Sequence, residues 1–148
     1  MIKKYYYSWS QLRKDVVKLA KKLRRYKFDY LVVIARGGMI PASLLSYYLK
    51  IKKIRVISYS HYKADAVPDR LKLVLPLDKK IKNKKVLLVD DVVDTGQTMA
   101  KAYQTLIKRK NKVITAVLHY KKCLKPIFKP DYYVSDPGNV WIVYPWEV

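Results

Sequence analysis

Two runs of this chain, Tyr30–Ala35 and Val86–Val89, are apolar throughout and rich in branched side chains. Such a run has no face to offer water, so as a strand it needs cover on both sides. It is also far too short to span a bilayer. Helical spacing precedes the first run: Leu12, Val16, Leu19 and Leu23 share one face of a helix reaching about Tyr26. Ser8 and Gln11 form a capping box ahead of it, with Tyr7 and Leu12 placed as the hydrophobic staple. Arg36-Gly37-Gly38 interrupts the first strand, and Pro41 suits the first turn of a helix to about Leu49. Strands are then expected at Ile54–Tyr59, Leu71–Leu75, Val86–Asp90 and Val113–Tyr120, with a helix over Gln97–Arg109 and a mobile polar loop over Ser60–Arg70. This alternation predicts an α/β fold, a parallel-sheet core flanked by helices on both faces. Pro126, Pro130, Pro137 and Pro145 break up the remainder, which reads as a small C-terminal hood. No linker or repeat divides the 148 residues, so a single domain is expected, with a core over about 8–120 and a hood over about 121–148.

Composition narrows the function. Hydrophobic residues make up 51%, too many for a disordered chain. Lys and Arg total 32 against 11 Asp and Glu, a net charge of +21 that attracts polyanions and phosphorylated metabolites alike. A lone cysteine, Cys123, excludes an intramolecular disulfide and a Cys-based zinc site. The N-terminus has no apolar stretch followed by a small-residue cleavage site, so a cytoplasmic location is expected.

The rare residues sit where chemistry would need them. Only four glycines occur, Gly37, Gly38, Gly96 and Gly138, and three of the eleven acids, Asp90, Asp91 and Asp94, fall within five residues. Ligands of open α/β sheets bind at the carboxyl ends of strands, where Asp90 and Asp91 fall. Thr95-Gly96-Gln97-Thr98 then leads into a helix, whose free N–H groups make an anion site. Carboxylates suited to sugar hydroxyls or Mg²⁺ thus stand beside a cradle suited to phosphate, the pairing a phosphorylated sugar requires. The segment is neither a P-loop, lacking Gly-Lys-Ser/Thr, nor a dinucleotide fingerprint, lacking Gly-x-Gly-x-x-Gly.

Val86 to Thr98 resembles the phosphoribosyl-diphosphate (PRPP) motif of type I phosphoribosyltransferases, two acids closing a strand followed by Asp-Thr-Gly-x-Thr. Ala35-Arg36-Gly37-Gly38 resembles a loop of the xanthine-guanine and archaeal purine branch. Pro130 to Val134 and Trp141 to Glu147 resemble that branch's base-binding hood. The resemblance implies the type I phosphoribosyltransferase fold and transfer of 5-phosphoribosyl from PRPP to N9 of guanine, hypoxanthine or xanthine. It implies that Asp90 and Asp91 hold the ribose hydroxyls, with Asp91 nearer Mg²⁺, and that Thr95, Gly96, Gln97 and Thr98 cradle the 5′-phosphate. Arg36, Gly37 and Gly38 would wrap pyrophosphate in a loop that the family often holds with a non-proline cis peptide.

For the base, the resemblance implies Asp94 against the purine N7, Trp141 stacked on the ring, the Ile142 backbone on its edge and Lys121 on O6. Several bland readings stand beside these. Asp94 also suits a helix N-cap, Lys122 adjoins Lys121, and a tryptophan near a C-terminus often plugs a core. The 60–70 loop is either a flap, with Ser60 or Tyr62 on pyrophosphate, or an ordinary surface loop. The family usually forms dimers or tetramers, so a homo-oligomer is expected. The alternative reading is a regulator on the same fold that senses PRPP and binds RNA or DNA; the charge favours it, the complete hood and Asp94 favour catalysis. A pyrimidine or adenine transferase is a third reading. The enzyme reading expects no nucleic-acid partner, although the charge is compatible with one.

Overall fold

The computed structural model describes residues 1–64 and 67–147, with the side chains of 62–69 outside that description. The elements are β1 (Lys4–Tyr6), α1 (Trp9–Leu23), β2 (Tyr30–Ala35), α2 (Met39–Leu49), β3 (Ile54–Ala64), β4 (Val67–Leu75), β5 (Lys85–Val93), α3 (Gln97–Lys108), β6 (Lys112–Tyr120), β7 (Tyr132–Ser135) and β8 (Trp141–Val143). Six strands form one sheet in the order β4-β3-β2-β5-β6-β7, parallel except for β4, and β1 pairs with β8 in a second small sheet.

The apolar runs are covered on both faces, as their composition requires. Leu31 and Val33 of β2 and Leu87 and Val89 of β5 point to the side where α1 and α2 bring Leu12, Val16, Leu19 and Leu45. Val32 and Ile34, with Val86 and Leu88, point to the opposite side, where α3 brings Met99, Ala102 and Leu106. A period of two with neither face wet is the signature of a central parallel strand. The capping box of α1 is formed, Ser8 N–H donating to Gln11 Oε1 at 2.8 Å and Gln11 N–H to Ser8 Oγ at 3.1 Å. Tyr7 and Leu12 are both buried in the same core.

The structure departs from the sequence reading in four places. Helix α1 stops at Leu23 rather than about Tyr26, because Tyr26 turns away to bond Tyr132 and pack on Phe28. The polar stretch 60–70 is largely strand rather than loop: β3 and β4 form an antiparallel hairpin with two register irregularities. Pro68, which lacks an N–H, is tolerated because β4 is the edge of the sheet and has only one neighbouring strand to bond. Tyr62 belongs to this hairpin, and its side chain lies outside the described residues. Lys4–Tyr6, unassigned by periodicity, is a strand held by β8. Residues 132–135 extend the main sheet, their register locked by Asp131, whose Oδ2 accepts from the N–H and Oγ1 of Thr115 at 2.9 and 3.1 Å.

His119 on β6 carries a polar group into this core. It is fully buried, its Nδ1 lies 2.8 Å from the Tyr144 hydroxyl, and its Nε2 has no hydrogen-bond partner among the described residues. Burial lowers its pKa from 6.5 to about 4. The folded imidazole is therefore neutral at pH values where the unfolded one is charged. Stability from this group is complete above about pH 6.5 and is lost as pH falls towards 4. At about 1.4 kcal/mol per tenfold change in proton affinity, the loss is on the order of 3 kcal/mol. Urea unfolding at pH 7.5 and pH 4 should show wild type losing about that much more than His119→Gln; parallel pH profiles would refute this coupling.

Candidate active site

The chain leaves β2 towards β3 on one side and β5 towards β6 on the other, so the sheet's switch point lies between β2 and β5. Their ladder ends at Val33 and Val89, while β5 continues along β6 as far as Val93. Asp90 and Asp91 therefore do not end the strand; they sit within it, on the stretch where β2 no longer pairs. A crevice at this position is where open α/β sheets bind ligands. It holds a cleft of about 660 Å³ lined by Arg36, Gly37, Asp90, Asp91 and Thr98, with Trp146 and Glu147 of the C-terminal segment and Tyr59 of β3. A smaller hollow of about 90 Å³ adjoins it through Asp90 and Thr98 and reaches Asp94, Thr95 and Gly96.

Both aspartates are buried, and each has one oxygen committed: Asp90 Oδ1 accepts from Asp91 N–H at 2.8 Å, and Asp91 Oδ1 from Val92 N–H at 2.7 Å. Among the described residues neither has an ion-pair partner. Burial, followed by the neighbouring charge of Asp91, holds the Asp90 carboxyl well above the usual carboxylate range, and burial also raises Asp91. Two such groups are destabilised as anions until hydroxyl donors or a cation arrive. Gly37 and Gly38 make room for them. A Cβ on Gly37 would meet the Asp91 carboxylate, and one on Gly38 would lie 2.8 Å from the carbonyl oxygens of Ile34 and Val89. The Ala35–Arg36 peptide is cis, and Arg36 is exposed at the cleft. Gly38 N–H is committed to Ile34 O at 3.0 Å, so Gly38 contributes space rather than a donor.

Asp94 is not the cap of α3. That position belongs to Gly96, at φ 83, with no side-chain capping bond. Asp94 instead faces Lys121, whose Nζ lies 2.8 Å from Oδ1. Lys121 N–H donates to Val93 O at 3.1 Å, which fixes that lysine, buried, at the site. Lys122 turns its ammonium over the Tyr133 ring at 5.1 Å. The turn 95–98 is backed by the segment after β6: Ile127 N–H donates to Thr95 O at 2.9 Å, and a Cβ on Gly96 would lie 2.7 Å from Phe128 N. Gln97 N–H makes a long bond of 3.4 Å to Thr95 Oγ1, and the following N–H groups in the first turn of α3, which have no intrahelical acceptor, suit an anion.

In the hood, Trp141 stands 57% exposed on β8, outside the lining of this cleft. Ile142 is buried, and its strand pairs with β1 alone, leaving the other edge open. The cleft is lined instead by Trp146, stacked on Tyr144 at 4.6 Å and 8°. Tyr144 reaches across to Asp91 O at 3.4 Å and so fastens the hood to β5. Sequence reasoning assigned no role to Tyr59, Tyr144, Trp146 or Glu147. One signal was present, since Glu147 is the only glutamate in the chain.

The two glycines should separate by assay. Gly38→Ala presses on two fixed carbonyls and should cost about 1–3 kcal/mol in urea unfolding. Gly37→Ala meets a movable carboxylate and should leave stability nearly intact while lowering nucleoside-monophosphate affinity at least tenfold; equal stability losses at both positions would contradict the packing described.

Comparison with known proteins agrees with this geometry. Residues 4–148 match the phosphoribosyl transferase domain family. The xanthine-guanine phosphoribosyltransferase of Idiomarina loihiensis is 26% identical over 147 residues, covering 99% of this chain and 88% of the relative. The crystal structure of a purine phosphoribosyltransferase from Pyrococcus horikoshii superposes with a TM-score of 0.89 at 37% identity, covering 99% of this chain and 95% of the other. The xanthine-guanine-hypoxanthine enzyme of Helicobacter pylori gives a TM-score of 0.83 at 25% identity, covering 98% and 94%. A carboxylate pair at the switch point, a phosphate-ready turn beside it and these full-length likenesses converge: the chain belongs to the phosphoribosyl transferase domain family, as a type I enzyme of its purine branch.

Proposed function

We propose that the protein is a 6-oxopurine phosphoribosyltransferase of purine salvage, moving the 5-phosphoribosyl group of PRPP to N9 of guanine, hypoxanthine or xanthine and releasing pyrophosphate. The observation that carries this reading is the crevice itself, which sets two buried carboxylates, without cationic partners among the described residues, between a helix N-terminus and an arginine–glycine loop. The relatives' names support the substrate class, and they name enzymes rather than regulators. We treat residues 1–148 as a single domain, core about 8–120 and hood about 121–148, with the hood lending β7 to the core sheet.

In this reading Asp90 and Asp91 accept hydrogen bonds from the ribose 2- and 3-hydroxyls. The N–H groups and hydroxyls of Thr95, Gly96, Gln97 and Thr98 hold the 5′-phosphate, while Arg36 and the Gly37–Gly38 loop face the pyrophosphate. Lys121 and Asp94 arrive as a ready pair 2.8 Å apart, and a 6-oxopurine presents O6 and N7 on one edge. Lys121 donates to O6. As the N9 lone pair forms its bond to C1′ and the bond from C1′ to pyrophosphate breaks, the proton on N7 passes to Asp94. Trp141, exposed on β8 outside the cleft wall, is available to stack on a base held at Lys121 and Asp94, and the Ile142 backbone would meet the base edge. The hairpin β3–β4, including Tyr62, stands on the side of the cleft where closure would exclude water.

A divalent cation fits the donor set. The site offers two carboxylates with hard oxygen donors, and no described group of three or more His, Cys, Asp or Glu competes for the ion. Mg²⁺ characteristically takes one or two carboxylates plus substrate phosphate oxygens. Asp91, assisted by Asp90, would hold it, and when bound it neutralises charge on the departing pyrophosphate. No described helix is long and apolar enough to cross a membrane, which suits the expected cytoplasmic location. A dimer or tetramer would cover Tyr47, 82% exposed on α2, and the apolar Leu73–Leu75 on the sheet edge.

Turnover tests the reading. Protein, Mg²⁺, PRPP and each of the three 6-oxopurines should yield the corresponding nucleotide, and no product with any purine would refute the assignment. Lys121→Gln should lower kcat/KM for guanine by about 10- to 200-fold while Lys122→Gln leaves it unchanged, and Asp94→Asn should lower kcat by about 10²–10⁴-fold.

A further inference from the structure

The cations of this chain are not spread evenly over it. Segments 24–29, 50–53, 78–85 and 108–112 hold fifteen of the 32 lysines and arginines against two acids, Asp29 and Asp78. Each segment leads into one of the parallel strands β2, β3, β5 and β6, so all four meet at the same end of the sheet. Backbone bonds knit them together there: Leu31 N–H to Lys53 O at 3.0 Å, Asp29 N–H to Lys85 O at 2.7 Å, Lys112 N–H to Lys84 O at 2.8 Å and Asn83 N–H to Arg109 O at 3.1 Å. All fifteen side chains are exposed except Arg109, which is half-buried. The acids offset little, since Asp78 is engaged by Arg55 from β3 at 2.8 Å and Asp29 Oδ2 accepts from the Lys85 N–H.

Neither catalysis nor folding accounts for this concentration. From Lys85 to Asp91 is six residues of strand, roughly 20 Å at about 3.3 Å each. That is more than twice the screening length of about 8 Å at physiological salt, so these cations do not hold a ligand in the cleft. Helices α1, α2 and α3 all end near this face. Their C-terminal dipoles carry about half a negative charge each, which offsets only a small part of a surplus of thirteen.

The shape of the face narrows the partner. One hollow, about 460 Å³, sets the rings of Tyr26 and Phe28 among Arg25, Lys27, Lys85 and Lys112. A second, about 530 Å³, is bounded by five cations and Asn83. The two adjoin where 83–85 meets 108–112. An anionic bilayer would be met by a cluster of apolar side chains projecting outwards; here the exposed Ile54 and Ile107 stand on separate elements, and the aromatic rings are half-buried within a hollow. Aromatic platforms recessed among lysines suit a stacked base on a phosphate backbone. We propose that this end of the sheet, remote from the catalytic crevice, binds single-stranded nucleic acid, with the backbone along the lysine rows and a base in the Tyr26–Phe28 hollow.

Fluorescence anisotropy with a labelled single-stranded RNA of about fifteen nucleotides tests this. Wild type should bind with log affinity falling linearly in log salt. A variant combining Lys82→Gln, Lys84→Gln, Lys108→Gln and Lys110→Gln should bind at least tenfold more weakly, with a salt slope lower by about 3. Phe28→Ala should weaken binding about fivefold or more and leave the slope unchanged. Both variants should keep wild-type phosphoribosyl transfer, which also shows that they fold. The proposal is overturned if the lysine variant binds RNA like wild type, if PRPP displaces the RNA, or if wild type sediments with phosphatidylglycerol vesicles and does not bind RNA. It stands apart from the enzymatic reading, because RNA binding and nucleotide formation are scored separately on the same proteins.

Discussion

Two adjacent buried carboxylates with no cation beside them among the described residues are a costly arrangement, and much of the architecture around them exists to hold them. Asp90 and Asp91 stay in strand geometry because β5 keeps its ladder with β6 after β2 has turned away. Gly37 and Gly38 let the loop after β2 pass where any side chain would strike the Asp91 carboxylate or the carbonyls of Ile34 and Val89. Tyr144 fastens the C-terminal segment to the Asp91 carbonyl. Burial raises both carboxyls and the two lie against each other, so their ionised forms gain from any hydroxyl donor or cation that enters the cleft they line.

The parallel sheet also sorts charge along its axis. The C-terminal part of β5 and the turn after it carry Asp90, Asp91 and Asp94, and Glu147 joins them from the hood. The segments leading into the parallel strands carry fifteen cations. One connectivity rule, that parallel strands begin at one end and finish at the other, gives a small domain two chemically distinct poles. The net charge of +21 is mostly a property of one pole rather than of the whole surface.

Much of this was legible in the sequence because local rules and tertiary demands agreed. Branched apolar runs became two-faced strands, Ser8 and Gln11 formed their box, and the glycine-poor chain kept Gly37, Gly38 and Gly96 where close approach or positive φ requires them. The misreadings fall where partners distant in sequence decide. Polar residues 60–70 became hairpin because an edge strand needs only one neighbour and no buried face. Lys4–Tyr6 became strand because β8 supplied its ladder, and α1 shortened because Tyr132 captured Tyr26. The different placements of Lys121 and Lys122 were invisible in composition: Lys121 N–H bonds Val93 O and its ammonium meets Asp94, while Lys122 lies over the Tyr133 ring. The place of Trp146 in the cleft wall was likewise set at a distance from local pattern, by its stacking on the Tyr144 ring.

A crystal structure of the protein with guanosine 5′-monophosphate probes the central claim most directly. The account places the ribose hydroxyls on Asp90 and Asp91, the phosphate on the amides of 95–98, and the base edge against Lys121 and Asp94. A nucleotide seated elsewhere, with both carboxylates untouched, would contradict it.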